Sequence, residues 1–399
     1  MLEKLQTTSG AQIATQDRKP VDIYYSMIFK IGYVYMQPCI CIIGFVLNII
    51  NSYIFCRKTF SSTPAYMLVS ALSITDAITL GLRIPQGLTQ YVIKLFSFHH
   101  LATTEKHRYR GSQTAKTIAI NAYIYATYAE IPITNMTENM SAWLTVCLAL
   151  ERYVAMRHWN FARQYCNRRN ATRLIIGIAA VSIIFNLPYF MIHRINVQRS
   201  QNGTLKVTSS VTALKRSKFY AIYSWFRMAT VQIIPLVALC ILNVLLIAIV
   251  YHHNKKLDKK SELERNINRL SLGGDVLTSE EGCISDPSKN EVIGIQQQPP
   301  NTFQKKRNAQ RKLNILLIAV ILLFLFGAIP QAFSYARIFE VFGICKEDFH
   351  NCRTYSIYRM VTTNIALISY GLTFFLYISL NRHFRNELAK CMPICIKKL

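Results

Sequence analysis

The chain has 399 residues, of which 51% are hydrophobic and only 17% charged, against about 25% charged in soluble domains. With a mean hydropathy of +0.20 and apolar residues gathered into long runs, intrinsic disorder is excluded for the chain as a whole and a soluble enzyme is disfavoured. The net charge of +26 sits between those runs, where membrane flanks carry it, so membrane lipids and not nucleic acid are the expected partner of the basic residues.

The first 20 residues are polar and lack an apolar signal-peptide core, so the first apolar run is expected to act as its own insertion signal. Seven runs are long enough to cross a bilayer, at 34–56, 65–86, 122–154, 172–192, 220–251, 313–336 and 360–380. None shows sustained period-two alternation, so they read as helices and not as barrel strands. Pro85, Pro188, Pro235 and Pro330 fall within them, which membrane helices tolerate when neighbours satisfy the freed carbonyl. The expected fold is an all-α membrane protein, a seven-transmembrane helix bundle with a short amphipathic C-terminal helix. Its parts are an N-terminal segment 1–33, a bundle 34–380, a long disordered loop 252–312 inside it and a tail 381–399. Lys255-Lys256, Gly273-Gly274, Gln296-Gln297-Gln298 and Pro299-Pro300 leave that loop too polar to bury anything. Its start, near 255–269, has the charge spacing to continue the fifth helix. With this loop set aside, Lys and Arg do not favour one face, so charge alone does not orient the chain.

Ionisable residues inside apolar helices are costly and mark function. Asp76 is one. Arg83 lies seven residues on, on the same helical face; Glu138 is in the third run, and Arg227 eight residues before Pro235. Arg83, Glu138 and Arg227 are expected to converge on one cavity. Either Glu138 pairs one arginine and the other anchors an acidic ligand group, or Glu138 receives a cationic ligand side chain. A third reading is a salt bridge that only holds helices together.

Local motifs resemble those of rhodopsin-like (class A) G-protein-coupled receptors. Leu150-Glu151-Arg152-Tyr153-Val154 at the end of the third run is similar to the family's Asp/Glu-Arg-Tyr signature, and Leu72-Ser73-Ile74-Thr75-Asp76 to its intramembrane aspartate. Ile234-Pro235, Gly327-Ala328-Ile329-Pro330 and Phe374-Phe375-Leu376-Tyr377 fall in the expected order. Arg57-Lys58-Thr59-Phe60 and Phe185-Asn186-Leu187-Pro188 look like invertebrate FMRFamide-type neuropeptide receptors in particular. The resemblance implies a plasma-membrane, multi-pass protein with its N-terminus extracellular. It implies an extracellular peptide-like ligand and a heterotrimeric G protein as partners. Glu151, Arg152 and Tyr153 would serve G-protein coupling; Asp76, with Asn48, would hold sodium or a polar network; no catalytic residue, metal or cofactor is implied. Several family positions differ. The helix-one Asn falls on Phe45, with Asn48 one turn later; Thr373 and Phe374 replace Asn/Asp-Pro; and the usual outer disulfide has neither of its cysteines. A small-molecule chemosensory receptor of the same fold, a receptor that does not signal and a secondary transporter are the alternatives; the transporter lacks the expected internal repeats.

Five further residues are candidates for modification. In this topology Asn202 is the sequon on the outer face. Cys345 and Cys352 flank a short polar segment and are expected to form a local disulfide. Cys391 and Cys395 follow the amphipathic tail and are palmitoylation candidates.

Overall fold

The computed structural model describes residues 27–61, 63–89, 113–199, 205–274, 300–334 and 353–391. Among these, seven long helices form the body: α1 (Met27–Phe55), α2 (Pro64–Arg83), α3 (113–157), α4 (Arg168–Asn186), α5 (218–274), α6 (Pro300–Phe333) and α7 (Arg353–Leu380). A short α8 (Arg382–Cys391) follows. Helix starts are fixed locally. The Asn167 side chain accepts the Asn170 N–H at 2.9 Å, Ser217 Oγ accepts the Tyr220 N–H at 3.2 Å, and Asn381 Oδ1 accepts the His383 and Phe384 N–H groups at 3.1 and 3.2 Å. Each satisfies donors that a first helical turn leaves open.

Three helices contain a π-turn, and one cause explains all three. Ile31–Met36 precedes Pro38, Tyr125–Glu130 precedes Pro132, and Met228–Ile233 precedes Pro235. Proline has no N–H and its ring collides with the carbonyl four residues back. Those carbonyls belong to Val34, Tyr128 and Val231, each inside its π-turn, where the wider winding absorbs the collision.

The helices close into a ring. α1 packs on α2 and α7, α2 on α3 and α4, α3 on α4, α5 and α6, α5 on α6, and α6 on α7. Glycines let α1 and α7 touch: a Cβ built on Gly371 would stand 3.3 Å from the Gly44 Cα. Among the described residues, five spans are long and apolar enough to cross a membrane: Met27–Phe55, Pro64–Thr89, Arg168–Phe190, Lys218–His252 and Thr354–Leu380. α6 contributes the shorter apolar stretch Ile318–Phe333, and α3 carries the carboxylates Glu130, Glu138 and Glu151. Apolar side chains turn outward, as on α4, where Ile176, Val181 and Ile184 are 63%, 65% and 67% exposed. A lipid solvent makes that arrangement favourable where water would not.

Two expectations are corrected by the structure. Of the segment 252–312, residues 252–274 continue α5, in line with the charge spacing near 255–269, while 300–312 open α6 where a disordered loop was expected. The Lys, Glu, Leu and Arg there are good helix formers. The span between α4 and α5, in turn, contains strands. β1 (His193–Arg199) pairs antiparallel with β2 (Leu205–Val211), His193 opposite Val211 and Arg199 opposite Leu205. Ile195, Val197, Val207 and Val211 supply the β-branched alternation that such a ribbon needs.

Candidate functional site

Charged and polar side chains gather along the seam between α2 and α3. Since α2 and α3 run antiparallel, rising along α2 meets falling numbers on α3. Ser141 Oγ donates to Asp76 Oδ1 at 2.8 Å. Thr79 Oγ1 donates to Thr137 Oγ1 at 2.6 Å. One turn further, Arg83 Nη2 donates to Glu138 Oε1, and Arg83 Nη1 donates to Gln86 Oε1 at 2.9 Å, which also receives Gln37 Nε2 from α1. Arg83 and Glu138 are 12% and 21% exposed, so this is a largely desolvated pair. Most buried polar groups of the seam are thus bonded, with charge concentrated at one end, where Arg83 Nε has no partner among the described residues.

Arg227 does not join that pair. Its Nη2 donates to Asn135 Oδ1 and its Nε to Asn186 Oδ1 at 3.4 Å, with the guanidinium 4.6 Å above the Tyr189 ring. The single cavity expected for Arg83, Glu138 and Arg227 is therefore two places, one between α2 and α3 and one among α3, α4 and α5. Helical spacing aligned each residue on its own helix but carried no information about which neighbour faced it. A further ionisable residue was missed altogether. Glu130, 2% exposed, closes the π-turn of α3, and the charged groups near it are Arg83, Arg359 and Glu138. Pro132 two residues later was the available signal.

Asn48 is fully buried and donates to the carbonyls of Gly44 at 3.0 Å and Tyr370 at 3.1 Å, joining α1 to α7. Phe45 instead lies against Gly81, where a Cβ would meet its ring at 3.1 Å. The bundle-facing Asn of α1 is thus Asn48 and not position 45, a correction of the alignment by one turn.

At the other end of α3, Arg152 Nε stands 2.7 Å from Glu151 Oε2, with the side chains 10% and 12% exposed. Neither atom makes an aligned hydrogen bond among the described residues. Tyr153 packs on the cluster of Val146, Ala149, Leu239, Leu246, Ile321 and Leu325 contributed by α3, α5 and α6. At the same end, Tyr377 and Phe384 pack on Phe55 with ring centroids 4.9 and 5.3 Å away, which seats α8 against α1. Arg57 and Lys390 bond Glu387 at 2.9 and 2.7 Å. Lys390 first, then Arg57, hold the Glu387 carboxyl below the usual range, and the same bond raises Arg57 above its ordinary value. Cys391, at the end of α8, is half-buried with a free thiol. Asn202, Cys345, Cys352 and Cys395 lie outside the described residues.

Comparison with known proteins adds the family. The pattern described as 7 transmembrane receptor (rhodopsin family) matches residues 114–382. A probable G-protein coupled receptor of Caenorhabditis elegans is 27% identical over 222 residues, 54% of this chain and 46% of that protein. The sex peptide receptor of Drosophila melanogaster is 23% identical over 365 residues, covering 89% and 71%. The FMRFamide receptor of the same fly is 25% identical over 234 residues, covering 56% and 38%. The chain therefore spans less than half the length of two of these relatives and most of the third. The matched pattern covers two thirds of the sequence, from the start of α3 to the start of α8, and the chain belongs to the rhodopsin family of seven-transmembrane receptors.

Proposed function

We propose that this receptor sits in the plasma membrane with its N-terminus outside, binds a peptide-like ligand at the Arg83 end and reports it to a heterotrimeric G protein at the Arg152 end. The observation that carries the reading is α3 itself. One helix joins a buried ion pair at Glu138 to the Glu151–Arg152 ion pair, and the Asp76–Ser141 contact lies between them. A ligand that moves α3 against α2 changes both ends at once, which is how a bundle couples two sites. The peptide class is supported by relatives named for sex peptide and FMRFamide. Glu151, Arg152 and Tyr153 are the coupling residues, and Arg83, Glu138 and Arg227 the ligand-end candidates. Asp76 and Asn48 are the intramembrane polar or sodium candidates.

The test is a screen of the full chain, expressed at the cell surface, against a library of amidated peptides with G-protein activation as readout. A saturable response to one peptide class supports the reading; silence across the library at verified surface expression contradicts it. Orientation has its own test. Loss of a glycosidase-sensitive mass shift in Asn202→Gln places the hairpin outside, whereas loss in Asn170→Gln, at the Asn170-Ala171-Thr172 sequon in the first turn of α4, inverts the topology. A Cys345–Cys352 disulfide and acylation of Cys391 and Cys395 belong to the same proposal and are read by mass under non-reducing and hydroxylamine conditions.

A further inference from the structure

On the outer surface of the bundle a crevice of about 400 Å³ opens between α1 and α2, lined by Phe45, Ile49, Ser52 and Tyr53 from α1 and by Ala77 and Ile78 from α2. Its depth comes from the small Ser52 and Ala77, while Ile49, Tyr53 and Ile78 are exposed and form the rims. One end is closed, because the Phe45 ring lies against Gly81, where an added Cβ would stand 3.1 Å from it. The other end is charged. The Arg57 guanidinium stands 5.5 Å from the centre of the Tyr53 ring, at the mouth of the crevice. From Phe45 to Tyr53, α1 rises about 12 Å, most of the ~15 Å of one hydrocarbon leaflet. Apolar walls of that length suit one acyl chain.

Charge at the mouth selects the headgroup. Arg57 and Lys390 share one carboxylate, Glu387, at 2.9 and 2.7 Å. Two cations against one anion leave a positive charge, and no other Asp or Glu occurs in 23–75 or 353–399 to cancel it. Arg57 bonds Glu387 through Nη1 and is 35% exposed, so its fork has donors for a second acceptor. A zwitterionic lipid brings no net charge to that mouth, whereas a phosphodiester with an uncharged headgroup brings the missing negative one.

We infer that the α1–α2 crevice binds an anionic phospholipid, one acyl chain lying along Ile49, Tyr53 and Ile78 and the phosphate accepting hydrogen bonds from Arg57. In the orientation proposed above, Arg57 meets the cytoplasmic leaflet, where anionic lipids are concentrated. That leaflet assignment rests on the receptor reading; the binding itself does not.

The experiment uses the solubilised full chain and two probes with identical octanoyl chains, phosphatidylglycerol and phosphatidylcholine, with affinity read from the concentration dependence of thermal unfolding. Phosphatidylglycerol is expected to bind the wild type about fivefold more tightly, the effect of one basic residue on an anionic lipid. Arg57→Gln, which keeps donors for Glu387, should reduce that ratio to about twofold or less. Glu387→Gln acts in the opposite sense: it removes the shared anion and should raise the ratio to about tenfold or more. Ser52→Leu, which fills the crevice, should weaken both lipids alike and leave their ratio unchanged. Equal affinity of the wild type for the two lipids overturns the inference, as does a ratio that neither Arg57→Gln nor Glu387→Gln alters. Wild-type affinity for both lipids in Ser52→Leu would place them elsewhere on the bundle and overturns it too. Cholesterol that competes for the site, with no headgroup preference, assigns the crevice to a sterol instead. Neither peptide nor G protein enters the measurement. Lipid preference without any G-protein activation therefore removes only the receptor reading, and peptide activation without lipid preference removes only this inference.

Discussion

Removing the Arg83–Glu138 pair should cost more than an exposed ion pair would, and by an amount the geometry bounds. With side chains 12% and 21% exposed, neither charge has bulk water to fall back on. Arg83→Ala leaves the Glu138 carboxylate without its hydrogen-bonded partner and Gln86 without one of its two donors. Breaking a fully buried pair costs about 3–5 kcal/mol, and the partial exposure of Glu138 brings the expected loss to about 3 kcal/mol. Glu138→Ala should cost about as much, since it strands the guanidinium. The double variant removes both charges, so its cost should fall short of the sum by about 2 kcal/mol, the coupling of the pair. Unfolding by sodium dodecyl sulfate in mixed micelles, followed by far-ultraviolet circular dichroism, gives the four free energies of that cycle. Additive single losses, with a coupling below about 0.5 kcal/mol, would show that the contact contributes nothing and that α2 and α3 are held by packing alone.

Three further outcomes are expected. Glu151→Gln removes the charge that holds Arg152 without removing bulk; a bias of about 1 kcal/mol toward the released arginine should raise basal nucleotide exchange about fivefold, and an unchanged basal rate would mean the contact restrains nothing. Gly87→Ala builds a Cβ 1.6 Å from the Tyr33 carbonyl oxygen, a backbone collision that should cost about 1–3 kcal/mol; Gly177→Ala, whose Cβ meets nothing within 4 Å, should melt at or above wild type, and equal melting of the two variants would refute the steric account. Because Glu387 titrates below the ordinary carboxylate value, its contribution to docking α8 is complete above about pH 4.3 and is lost as pH falls through its depressed folded value. Hydrogen exchange across Arg382–Cys391 should accelerate on acidification in wild type beyond the intrinsic rate change, and a Glu387→Gln variant that responds to the same degree would contradict that assignment.

Some of this architecture was legible in residues alone and some was not, for physical reasons. Long apolar runs located the seven helices, because length and hydropathy are properties of a single segment. The Arg83–Glu138 contact was one of several pairings left open, since helical spacing says which residues share a face and not which face meets which. Arg227 shows the limit: its acceptors, Asn135 and Asn186, come from two other helices, which no spacing along its own helix reveals. Glu130 escaped notice inside a run of Tyr and Ala, although Pro132 marked the winding change. The β1–β2 ribbon was masked by its brevity; Asn202-Gly203 between the two strands is a strong hairpin dipeptide that was read only as a sequon. The continuation of α5 was legible in part, since the charge spacing near 255–269 and the helix-forming Lys, Glu and Arg point the same way.

The central claim is that α3 carries a ligand event at one end to a G protein at the other, and Arg152 is where it must arrive. The direct measurement is peptide-evoked nucleotide exchange on a purified heterotrimer by wild type and Arg152→Ala, at matched surface expression and with peptide affinity measured in parallel. Peptide binding should survive the substitution while evoked exchange falls to the basal level. An unchanged dose–response curve in Arg152→Ala would contradict the account.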